Sequence, residues 1–105
     1  MSASSRELAA LFFAATRALA CHTGSLQERL ADTYADHLLQ VVAHDLPSEL
    51  QPAFRELEER LNAVDESEAD DPFRAATQRL SDAETRELID RILALSWRLA
   101  GLQPR

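Results

Sequence analysis

Apolar residues recur along this chain at helical intervals, and the β-branched and aromatic runs that mark strands are missing. The clearest stretch is the last. Wound at about 100° per residue, Leu88, Ile92, Leu95 and Leu99 fall in one tight stripe, which Ile89, Ser96, Ala100 and Leu93 widen to roughly 160°. Ser81 with Glu84 forms a capping box at its start, because the serine oxygen accepts a first-turn amide and the glutamate reaches back. Gly101 is placed for a left-handed cap, and Pro104 bars continuation, so a helix is predicted over about 82–100. A face this wide predicts two or three neighbours rather than one.

Ser4 and Glu7 form a second capping box, opening a helix over about 5–22 with Leu8, Leu11, Phe12, Ala15, Ala18 and Leu19 inward. Thr23-Gly24 ends it and Ser25 with Glu28 caps the next, so the short connection predicts an antiparallel hairpin. The second helix is predicted over about 26–44, with Leu26, Leu30, Tyr34, Leu38, Val41 and Val42 inward, and its wide apolar arc makes it the expected partner of the last helix. Asp45-Leu46-Pro47 breaks it. Ser48 with Gln51 reads as a further capping box, with Pro52 harmless in the first turn of a helix over about 48–64. That helix has a narrow stripe of Leu50, Phe54, Leu57, Leu61 and Val64. Its charged back suggests the i,i+4 pairs Arg55–Glu59 and Glu56–Arg60.

Residues 65–71 hold five acids in seven positions and read as an extended, solvated linker. Asp71-Pro72 then opens a short helix over about 72–80, with Phe73, Ala76 and Leu80 inward. The pattern predicts an all-α fold: a single-domain compact bundle of four main helices plus one short one, spanning 1–105.

Charge refines this picture. All 11 positive side chains are Arg and there are 18 acids, a formal charge of −7 that favours solubility and opposes non-specific nucleic-acid binding. Residues 1–71 carry 5 Arg and 14 acids (−9), whereas 72–105 carry 6 Arg and 4 acids (+2), so the two parts attract one another within one fold or between copies. A single cysteine, Cys21, excludes an intrachain disulfide and fits a reducing compartment, and no apolar run is long enough to cross a bilayer. The reading is a cytoplasmic, bacterial protein. Ala18-Leu19-Ala20-Cys21 has the outline of a lipoprotein cleavage site, but Glu7 and Arg17 interrupt the segment before it.

The candidate chemistry is thin. His37 and His44 stand seven residues apart, about 10 Å along a helix, too far to share one metal ion, and no H-x-x-x-H or C-x-x-C spacing occurs. His22 and His44 fall in the final turns of their predicted helices, where an imidazolium meets the negative dipole end. Cys21 and His22 diverge as i,i+1 neighbours on a helix and make no dyad. With two glycines there is no phosphate-cradling loop. No cofactor, metal site or catalytic residue is expected.

Phe13 and Trp97 lie off the core stripes of their helices. Trp97 either folds over Leu93 and seals the core edge or anchors an interface, a role in which Trp and Arg are prominent. Arg91, Arg98 and Arg105 recur every seven residues beside it. Glu87 and Asp90 interrupt this stripe, and the pairs Glu87–Arg91 and Arg86–Asp90 absorb two of the arginines, so direct nucleic-acid contact is not expected. The leading expectation is a non-catalytic regulator or adaptor acting through protein–protein contact and forming a homo-oligomer, with Phe13, Trp97, Arg91 and Arg98 as interface residues. Two alternatives are a ligand carrier or enzyme with a pocket at Tyr34, His37 and His44, and an acidic decoy of a nucleic-acid-binding protein, motivated by the 65–71 charge run.

Overall fold

Two of the serine caps form as the sequence requires. The computed structural model of the chain describes residues 4–62 and 72–101. Its elements are α1 (Ser5–Cys21), α2 (Leu26–Thr33) continuing into a π-helical turn (Tyr34–Leu38), a 3-10 turn (Ala43–Asp45), α3 (Gln51–Leu61), α4 (Pro72–Gln78) and α5 (Asp82–Gly101). Ser25 and Ser81 each complete a reciprocal box, with Glu28 N and Glu84 N donating to the serine Oγ at 3.1 Å and the glutamate carboxylates accepting from the serine amides. Those amide bonds hold both glutamate carboxyls below their usual range. Ser4 accepts from Glu7 N, which caps α1.

The described residues form an all-α bundle of five helices without a strand. α5 is central, lying against α1, α2 and α3, as its broad stripe demands. Its main neighbour is α1 rather than α2, which divides its contacts between α4, α5 and the π turn. α4 lies against α2 and α3. Phe12 of α1 meets Phe54 of α3 edge-to-face at 6.0 Å, and Tyr34 meets Phe73 of α4 at 5.0 Å. All four rings are buried, together with Leu30, Leu57, Leu88, Ile92 and Leu99. Full burial of each such side chain is worth about 1.5–3 kcal/mol.

Four expectations are corrected. The second helix does not reach residue 44. Leu39 N donates to Tyr34 O at 2.8 Å across five residues, winding a π turn, and Val42 is already extended (φ −101°, ψ 123°). The β-branched Val41-Val42 pair then lies outside any helix, with Val41 5% exposed and Val42 56%, and leads into the 3-10 turn, where Ala43 is buried and His44 exposed. The Ser48 capping box does not form either. Leu50 N donates to Pro47 O at 2.8 Å in a tight turn, Leu50 precedes the first helical residue without a side-chain cap, and Gln51 instead donates to Leu46 O at 2.9 Å. Gly101 is the last residue of α5 rather than a left-handed cap, since no described glycine has positive φ. Finally, α4 stops at Gln78 and α3 at Leu61, where Asn62 Nδ2 donates to Glu58 O. Val64 and the acidic stretch 65–71 lie outside the described residues.

The two charge segments do attract one another within the fold. Arg74 pairs with Glu28 and Asp32, Arg91 with Glu56, Arg98 with Glu49, and Arg60 with Glu84. The expected Glu56–Arg60 pair gives way to these inter-helix pairs, because packing α3 on α5 brings Glu84 to Arg60 and Arg91 to Glu56, while the expected Arg55–Glu59 pair does not form and Arg55 donates to Gln51 Oε1 at 3.5 Å.

Candidate interaction surface

The surface begins with the direction of two helices. The end of α1 leads through four residues into α2, where Gln27 Nε2 donates to Asp82 Oδ1 at 2.9 Å and to Leu80 O at 3.3 Å. The end of α1 and the start of α5 therefore share one end of the molecule, and the two helices run antiparallel. Between them, floored by α2, lies a cleft of about 310 Å³. Its walls are Thr16, Leu19 and Ala20 of α1, Leu26 and Arg29 of α2, and Arg86, Ile89, Asp90 and Leu93 of α5.

Phe13 stands one turn before Thr16, and Trp97 one turn after Leu93. Because the helices are antiparallel, both lie beyond the same end of the cleft. Phe13 is 68% exposed, Trp97 80% and Leu93 39%. The indole does not seal the core edge over Leu93, which excludes that reading of Trp97. Three large exposed apolar side chains thus adjoin an apolar cleft along one ridge, whereas scattered single hydrophobes are ordinary. Leu39 and Val42, also exposed, follow the π turn.

Of the two pairs expected on α5, Glu87–Arg91 forms and Arg86–Asp90 does not. Arg91 reaches Glu56 at 3.0 Å and Glu87 at 3.8 Å, as the Glu87–Arg91 spacing predicts, and Arg98 reaches Glu49 at 3.5 Å. Arg91 is therefore tied to α3, and Arg98 keeps an exposed head. Arg105 lies outside the described residues.

Tyr34, His37 and His44 do not converge. Tyr34 is buried, and its hydroxyl meets Asn62 of the α3 end; burial, opposed by that hydrogen bond, raises its pKa above 10.0. Glu58 nearby is raised as well, by burial. His37 turns instead toward α1, where it shares a shallow cleft with Ala14, Arg17, Ala18 and Cys21. His44 is exposed on the 3-10 turn. The break after Leu38 separates His44 from the helix face it shares with His37 in a regular helix.

One cluster escapes sequence reasoning. His22 Nδ1 accepts from Gly24 N at 2.8 Å, so the ring proton sits on Nε2 and is donated to Asp32 Oδ2 at 2.8 Å. Arg74 of α4 grips the same carboxylate with Nε (3.2 Å) and Nη2 (2.9 Å), and reaches Glu28 with Nη1 (3.2 Å). The His22 hydrogen bond, then Arg74, hold the Asp32 carboxyl below its usual range. Gly24 is needed for closeness rather than conformation: a Cβ there would lie 2.7 Å from His22 Cε1. Asp32 accepts from both His22 and Arg74, and Arg74 also reaches Glu28, so the cluster serves as a clasp for α1, α2 and α4. Its members stand 10 and 42 residues apart, and only Gly24 beside His22 hints at it locally.

Among the described residues no group of three or more His, Cys, Asp or Glu has metal-binding geometry, and no helix is long and apolar enough to cross a membrane. Comparison of the chain with protein-family models, curated proteins and solved structures finds no match.

Proposed function

We propose that this chain is a non-catalytic helical protein that works by holding another protein, as a regulator or adaptor, and that it associates with itself through the α1/α5 face. The observation that carries the reading is the exposure of Phe13, Leu93 and Trp97 along one ridge beside an apolar cleft. Leaving three large apolar side chains in water on one face has no benefit to the fold, while the core beneath is filled by Leu88, Ile92, Leu95 and Leu99. The single exposed Cys21 accords with a reducing, intracellular setting.

Sedimentation velocity over a micromolar to submillimolar concentration series tests this reading, with Phe13→Glu alongside. The wild type is expected to shift from monomer to oligomer as concentration rises, and Phe13→Glu to remain monomeric with unchanged helical circular dichroism. Wild type that stays monomeric throughout contradicts the proposal.

A further inference from the structure

We infer that the oligomer is a two-fold dimer in which α5 crosses α5 of a second copy at Leu93, and each Trp97 fills the other copy's cleft. This rests on the self-association reading and adds its geometry. About a two-fold axis through an antiparallel helix pair, residues equally spaced on either side face one another. Trp97, four residues after Leu93, then lies opposite Ile89, four residues before it, and Ile89 is in the cleft wall. A knob and a hole on one face at matching distances from a common point suit an isologous pair, and the exposed Leu93 side chains meet at the axis.

The cleft fits an indole in chemistry as well as position. Leu19, Leu26 and Ile89 supply apolar contact, and its volume of about 310 Å³ admits one aromatic side chain. Among the described residues neither Arg29 nor Arg86 forms an ion pair, and Arg29 Nε is buried without a hydrogen-bond partner. Their guanidiniums border the cleft, where a ring face offers a cation–π partner, and the Asp90 carboxylate there can accept the indole N–H. The face is large enough. The 20 residues of α5 extend about 30 Å, and two helices side by side give a width of about 20 Å, a footprint of about 600 Å² per partner, at the lower end of the roughly 1,200–2,000 Å² total of stable interfaces.

Because Trp97 is the sole tryptophan, its emission reports its own environment. Full-length protein is titrated through its association range by sedimentation and by fluorescence with acrylamide quenching, for wild type, Leu93→Glu and Trp97→Ala. Dimerisation should carry a blue shift and loss of quenching. Leu93→Glu, which sets two carboxylates against each other at the axis, should abolish both with helical content unchanged. Trp97→Ala, which removes one hot-spot side chain from each copy and so two from the dimer, should weaken it by on the order of 10³-fold. A dimer whose Trp97 stays fully quenchable overturns this geometry but leaves self-association standing. A chain that stays monomeric overturns both.

Discussion

Asp32→Asn keeps the shape of the side chain and removes its charge at the centre of the clasp. The carboxylate accepts from His22 Nε2 at 2.8 Å and from Arg74 at 3.2 and 2.9 Å, and its side chain is 30% exposed. Hydrogen bonds to a charged group contribute about 1.5–3 kcal/mol when sheltered, whereas exposed pairs contribute about 0–1, so this site falls near 1–2 kcal/mol. For a domain of this size that lowers Tm by about 4–8 °C per kcal/mol. The pH dependence fixes the sign. The folded pKa of Asp32 lies below the unfolded value near 3.8, so its stabilisation is fully present above that value and is lost as pH falls through the folded pKa. Urea unfolding followed by circular dichroism should therefore show Asp32→Asn less stable near neutral pH with an unchanged m-value. The gap should close in strong acid. Equal stability at neutral pH, or a gap that persists once Asp32 is protonated in the wild type, would refute the reasoning.

Two further expectations follow from the helix break and the buried phenol. Val41→Asp should cost several kcal/mol by placing a charge in the core, whereas Val42→Asp should fall within about 0.5 kcal/mol, as surface changes do. Comparable losses at both positions in urea titrations would mean that α2 runs on as a regular helix. Tyr34, the only tyrosine, should resist ionisation above pH 10.0 in an absorbance titration at tyrosinate wavelengths. Because its folded pKa is raised, the unfolded chain loses the proton first and stability declines as pH climbs past that value; free titration at the ordinary pKa in folded protein would contradict its burial.

The helical skeleton was legible because its signals are local. Ser25 with Glu28 and Ser81 with Glu84 mark starts whose hydrogen bonds span three residues, and the stripe from Leu88 to Leu99 is the buried face of α5. The missed break left no trace in the sequence: Val41 to His44 alternates buried and exposed only in the fold, and two adjacent valines also satisfy a helical stripe. The turn after Pro47 competed successfully with a serine cap through one backbone bond, Leu50 N to Pro47 O. Long-range pairing was not legible. Arg60 has Glu56 within reach on its own helix, and Glu84 prevails only because α3 packs on α5. The same holds for the candidate surface. The displacement of Phe13 and Trp97 from their stripes is written in the sequence, but the cleft beside them and their meeting at one end of it require the antiparallel α1/α5 pairing.

If the α1/α5 ridge is a contact surface, amide chemical shifts followed against protein concentration will report it residue by residue. The resonances of Phe13, Thr16 and Leu93 and the indole N–H of Trp97 should move together as concentration rises, while those of Arg55 and Glu59 on the exposed back of α3 stay fixed. A spectrum that does not change with concentration, or changes confined to α3, would contradict it.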